Sequence, residues 1–333
     1  MVYSSKILTE TFSNVKSASD IIYETETNWN TLVKAVSDIA EESREKYGEV
    51  IYEAVNLKAF FGKIKEFFKG LLEKIKKWFK NIIDKIKNLF SKNERTFKNV
   101  DISKLKRPSH PVTINTYAYK NLDHTLNYDF SYHLKKIGIP DIMISIGDLN
   151  SASEFEELIG SKYKIWDHVD TDNLGGRIRA SLLGLSDGSN LDHNTYIKKL
   201  TEFFGCGDDD DTELSSEDID IKECIKIATD DKYVSKVIKI CNEQEHAIYE
   251  DYRKIDNIRG DAQYSVPNSS QSRAIAMLID YFNLLKNFHT DIVEYDRIWL
   301  SAIMGYFNAN SYICTKIAEY NHINHVPHYY TNA

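Results

Sequence analysis

The side chains best suited to chemistry are three histidines near the C-terminus, His322, His325 and His328, spaced three residues apart as metal ligands often are. Glu319 is the one acid within a turn of them, and Pro327 interrupts the set, so they read as a polar tail with no metal site. The run Asp208–Asp211 invites a calcium loop. A register starting at Asp208 fails, with Glu213 where the turn needs glycine and Ile219 where a bidentate glutamate belongs; starting at Asp209 puts Leu214 at the glycine position. It reads as a solvated acidic loop. His110, His124, His133, His168 and His193 lie near Asp123, Asp129, Asp167, Asp170 and Asp192, pairings that chance readily supplies. Arg177 and Arg179 beside Gly175-Gly176 read as a surface loop before an anion site. No phosphate loop, dinucleotide fingerprint, G-x-S-x-G or H-E-x-x-H occurs. The expectation is a chain with no catalytic residues, no metal and no cofactor.

The informative pattern lies elsewhere, in an eleven-residue unit written three times: Phe60–Gly70, Leu71–Asn81 and Ile82–Lys92. Each copy opens on a bulky apolar pair, keeps Lys-Ile-Lys at positions four to six, and has a second apolar pair at positions eight and nine. Eleven residues make three turns at about 3.67 residues per turn, close to the natural α-helix, so the apolar stripe runs straight. On a wheel Phe60, Phe61, Ile64, Phe67, Phe68, Leu71, Leu72, Ile75, Trp78, Phe79, Ile82, Ile83, Ile86, Leu89 and Phe90 form one arc of roughly 130°. Lys63, Lys65, Lys74, Lys76, Lys85 and Lys87 stand on its two edges, their stems able to lie along apolar matter while the ammonium groups reach outward. The repeats carry +7; the whole chain is −8, which leaves −15 on the remainder. Charge is segregated.

Three uses fit such a helix. An interfacial membrane helix needs an aromatic apolar face with lysine borders. A bundle or right-handed coil would cover the face with helices of the same chain or of neighbouring copies. Attraction to anions, whether DNA phosphates or the acidic remainder of the chain, ranks last, because the repeats hold no arginine and every aromatic lies on the arc. Gly62 and Gly70 predict fraying of the first copy.

Around this helix the chain of 333 residues has room for two or three domains, and its 5 Pro and 14 Gly favour helix over loop. No apolar run suggests a secretory signal or a conventional membrane span. Cys206, Cys224, Cys241 and Cys314 are widely spaced and read as reduced core thiols. Residues 1–30, Ser/Thr/Asn-rich, read as weakly ordered, or ordered only against a partner. Residues 31–92 hold an acidic helix, which could fold back onto the lysines, and the repeat helix. Residues 93–111 read as a linker and 112–205 as a small α+β domain with a strand at Val112–Asn115 and a helix at Thr195–Phe204. Residues 206–333 hold the acidic loop and two long helices, Tyr233–Ile258 and Ser272 to about Asn321. The second follows a heptad through Ile292, Tyr295, Trp299, Ala302, Tyr306, Ala309 and Ile313, and the two are expected to form an elongated antiparallel hairpin. The fold class is mainly α.

This order resembles internal head-associated virion proteins of large tailed bacteriophages: a Ser/Thr-rich start with Ile7-Leu8-Thr9-Glu10, an acidic helix, an FF-x-KIK stretch, a small mixed domain and a Tyr-rich helical end. The resemblance covers the layout of nearly the whole chain, with the Lys-rich repeat as its one vivid motif. It implies a non-enzymatic protein made in the host cytoplasm and packaged in the virion among other virion proteins or copies of itself. It also implies possible cleavage after Glu10, although Ile22-Tyr-Glu24 and Ile51-Tyr-Glu53 fit the same pattern. The alternative is a membrane-active peripheral or lytic protein working through residues 57–92. A third possibility is an enzyme in residues 110–205.

Overall fold

A computed structural model describes residues 18–34, 57–115, 175–176, 179–180, 182–185, 190–204, 211–256 and 269–323, and it is mainly helical. Six helices stand out among these residues. Helix α1 spans 18–34. Helix α2 is Leu57–Phe97, α3 His193–Phe203, α4 Ile221–Thr229, α5 Asp231–Asp256 and α6 Ser269–Tyr320. A two-stranded antiparallel sheet pairs β1 (Val112–Asn115) with β2 (Asp211–Leu214), Val112 opposite Leu214 and Asn115 opposite Asp211.

Helix α2 takes in all three repeats and continues to Phe97, without a break at Gly62 or Gly70. A Cβ at either glycine would meet nothing within 4 Å, so both lie on an open face, and their cost there is conformational. The shorter helices begin on side-chain caps. The Asp192 carboxylate accepts from the Thr195 backbone N–H at 3.0 Å, and Asp220 does the same for Glu223 at 3.1 Å. Both hydrogen-bonded contacts of Asp192, from the Thr195 hydroxyl first and then its N–H, hold its carboxyl below the ordinary aspartate value. Ser215 caps the 3-10 turn Ser216–Asp218 that precedes α4. Helix α6 is one helix of 52 residues, about 78 Å long. It ends where His322 adopts a left-handed conformation (φ 53°) and the Ile323 N–H donates to the Ala318 carbonyl at 3.0 Å, a Schellman stop made without glycine.

The most extensive helix packing is α2 along α5, and α2 also packs along α6 and α4. The expected hairpin of the two C-terminal helices is therefore not what organises the bundle: α5 packs along α2, and α6 packs along α4 and α2. One apolar core joins α2, α3, α5 and α6, with Ala18 and Ile21 of α1 at its border. A second core gathers Phe97, Val112, Ile114, Ile219, Cys224, Ile225, Ile313, Cys314 and Ile317 where the sheet lies on the end of α6.

Several expected boundaries shift. The segment to residue 30 was expected to be weakly ordered, yet 18–30 belong to α1, because Trp29 finds Phe67 and Phe68 at ring-centroid distances of 5.2 and 6.3 Å. The linker from 93 is helical to Phe97. Beyond it the chain is docked: the Lys106 N–H donates to Asn321 Oδ1 and Asn321 Nδ2 donates to the Lys106 carbonyl, both at 2.8 Å. The α+β domain expected at 112–205 is not self-contained in its described parts. Its strand pairs with β2 beyond residue 205, and Tyr196, Leu200 and Phe204 enter the core of α2 and α6. Of the acidic helix expected at the start of 31–92, residues 31–34 are the end of α1, and 35–56 lie outside the described residues.

Candidate functional site: the lysine-edged helix and its cover

The apolar arc of α2 faces inward. Ile64, Phe68, Leu71, Leu72, Ile75, Trp78, Phe79, Ile82, Ile86 and Phe90 are buried, and Phe67, Ile83 and Leu89 are half-buried. The side chains of Phe60 and Phe61 lie outside the described residues. Cover comes from the same chain: Val234, Val237, Cys241 and Ile248 of α5, Ile227 of α4, and the α6 face from Phe288 to Phe307. Phe90 meets Phe307 edge-on at 4.9 Å, and Phe68 meets Phe282 at 6.2 Å. Each large side chain buried this way contributes about 1.5–3 kcal/mol before ordering costs. As folded, the arc named for a membrane or an outside partner is therefore not a free surface, because α5 and α6 already occupy it.

The edge lysines divide. Lys65 donates to the Asp256 carbonyl at 2.6 Å, with the Asp256 carboxylate 3.8 Å away. Lys74 pairs with Glu24 of α1. Lys76 lies 3.9 Å from Glu245 of α5 and 5.5 Å above the Tyr249 ring. Lys63 and Lys87 are exposed and Lys85 is half-buried. The acids that meet Lys65, Lys74 and Lys76 come from α1 and α5, with Glu73 of α2 itself 3.8 Å from Lys76.

Helix α6 carries polar groups that no sequence pattern singled out. Lys286, 4% exposed at its side chain, donates to both Glu26 oxygens at 2.6 and 2.7 Å, tying α1 to α6. His289 Nε2 is 3.2 Å from Asp251 Oδ2 of α5, and its ring meets Phe68 edge-on. The Arg179 Nε–H bridges both Asp291 oxygens at 3.1 and 2.9 Å, while the Tyr196 hydroxyl donates to the Asp291 carbonyl at 3.1 Å. His193 Nδ1 lies 3.6 Å from Asp291 Oδ1. Its hydrogen bond with Asp291, and then the charges of Asp291 and Glu294, raise its pKa above 6.5 despite partial burial. Asp296 is fully buried, with no hydrogen-bond partner for either oxygen. Burial pushes its pKa well above the ordinary aspartate value, and the buried Gln244 amide beside it offsets this only partly.

Of the residues first considered for chemistry, the structure brings Arg179 and His193 together on Asp291, which no pattern had singled out. Arg179, read from sequence as part of a surface loop, is thus a largely buried ion-pair partner within the fold. Sequence spacing could not reveal this, since 112 residues separate Arg179 from Asp291. His193 faces Asp291, not its neighbour Asp192, which caps α3. His322 stops α6; His325, His328, Glu10, His124, His133 and His168 lie outside the described residues. Cys224, Cys241 and Cys314 are buried, and burial raises the thiol pKa of Cys241 and Cys314. Among the described residues no three His, Cys, Asp or Glu side chains form a metal cluster, and no helix is long and apolar enough to cross a membrane. No family model matches the sequence, and no curated protein or solved structure shows significant similarity to it.

Proposed function

We propose that this chain is a non-enzymatic structural protein of a bacteriophage virion, packaged inside the head or held on its inner face. The layout described above supports the virion assignment. The observation that favours a structural role is that α2, a long amphipathic helix, uses its oily face inside its own fold, against α5 and α6. In this reading α2 is a stave of three eleven-residue repeats that stands between α5 and α6 and joins them into one bundle. Its partners are other virion proteins or further copies of itself. Mass spectrometry of purified particles tests this: the chain is expected among the particle proteins, with an N-terminus that reports whether cleavage follows Glu10. Particles free of the chain would overturn the reading.

The membrane-active alternative keeps one supporting feature, the straight lysine-edged arc. It requires α2 to leave α5 and α6 first. Flotation of the folded chain with anionic liposomes separates the two: a structural stave stays in the aqueous fraction, whereas a membrane-active helix rises with the lipid.

A further inference from the structure

The solvent face of α2 differs from its edges. Lys69, Lys77, Lys80, Lys92 and Arg95, together with the edge lysine Lys87, are all exposed, and none is in an ion pair with a described residue. Lys65, Lys74 and Lys76, by contrast, meet acids of α5 and α1. From Lys69 to Arg95 the ridge is about 39 Å long at 1.5 Å per residue. Three acids share it, and one of these, Glu73, leans on Lys76 at 3.8 Å. The outward positions between the charges are Gly70, Asn81, Asn88 and Ser91, so no large apolar or aromatic side chain stands on the ridge. On a chain of net charge −8, a ridge of six cations against three acids, net +3, along one straight helix is a local inversion of sign.

We infer that this ridge is a docking surface for the phosphate backbone of double-stranded nucleic acid, bound without regard to sequence. The reasoning is one of complementarity. Duplex DNA presents about one negative charge per 1.7 Å of axis, a linear polyanion matched by a linear row of cations. A bilayer surface fits less well, because an interfacial helix must insert apolar side chains, and those of α2 are in the core. A specific acidic protein fits less well too, because such interfaces centre on aromatic or arginine anchors in pockets, and the ridge has one arginine at its end. Single strands lack the stacking platform that exposed aromatics would supply. The inference goes beyond the virion reading and stands or falls independently of it.

The test uses the full chain and a fluorescent 30-base-pair duplex of arbitrary sequence, followed by anisotropy between 50 and 200 mM salt. Binding in the micromolar range at the low end is expected, with log K falling against log salt at a slope of about −4 to −5 for five or so neutralised phosphates. Replacing Lys69, Lys80 and Lys87 together by Gln is expected to weaken binding at least tenfold at 50 mM and to flatten the slope by about 3. Scrambling the duplex sequence is expected to change nothing. Circular dichroism of the variant keeps the result interpretable, since these side chains are exposed and the melting transition should be retained. Absence of binding at 50 mM, or binding that the triple variant leaves unchanged, overturns the inference. So does salt-sensitive self-association that the same variant abolishes while DNA is not bound, which would make a second copy the occupant. Binding to anionic vesicles but not to duplex overturns it as well.

Discussion

Helices α2 and α6 are the two longest in the described chain, and they solve burial in opposite ways. Helix α2 writes its environment into its sequence: apolar on one arc, lysine at the edges, and charge on the face left in water. Helix α6 runs between the other elements and is buried around most of its circumference from Phe282 to Ala318. It keeps Lys286, His289, Asp291, Asp296 and Asn310 inside, each answering a particular group of another element or left without a partner. Periodicity thus reports one-sided burial well. A helix enclosed on all sides loses that signal, and its polar residues then look like surface residues.

The contrast predicts how each helix fails. The largest expected effect is on the α2 side. Phe79→Ala removes a ring that is 1% exposed at the centre of the main core and should cost about 3–5 kcal/mol in urea unfolding. A cost under about 1 kcal/mol would mean that the arc is not packed as described. On the α6 side, Asp291→Ala leaves Arg179 without its bidentate partner, so a loss of about 2–3 kcal/mol is expected, the discount from a fully buried pair reflecting the 16% exposure of the Arg179 side chain. If packing alone governed α6, this change would be nearly neutral.

Asp296→Asn should act in the opposite direction. The folded chain holds the Asp296 proton more tightly than the unfolded chain does. Its contribution is therefore complete below the ordinary value of 3.8 and is lost as pH rises through the raised value. The asparagine variant lacks that loss, so its stability advantage over the natural chain should widen from pH 4 to pH 8, as read by paired denaturant curves. A constant gap across that range would contradict a raised Asp296 pKa. The smallest effect belongs to the edge of α2. Lys74→Ala breaks an exposed pair with Glu24 and should cost less than about 1 kcal/mol. A larger loss would show that α1 is held by charge more than by Trp29 and the Lys286–Glu26 pair.

Much of α2 was legible from residues alone, because an eleven-residue period fixes a straight stripe whatever covers it. The identity of the cover was not, since apolar burial is non-directional and carries no address. Membrane, neighbouring copy and own chain all remained open until α5 and α6 were seen against Ile75, Trp78 and Phe79. Helix α6 was legible in length and in its heptad from Ile292 to Ile313, all of which is buried. Its ion pairs were not, because Lys286 meets Glu26 across 260 residues and Arg179 meets Asp291 across 112. The β1–β2 pairing failed for a related reason: Asp211 reads as an acidic loop until Thr212 and Leu214 are set opposite Ile114 and Val112.

Everything rests on the oily arc of α2 being enclosed by its own chain. Hydrogen–deuterium exchange of the intact protein tests this most directly. Amides from Ile64 to Phe90 are expected to exchange as slowly as those from Ile292 to Cys314, opening only with global unfolding. Rapid exchange across Ile64–Phe90 while α6 stays protected would show α2 detached from the bundle, and would contradict the account.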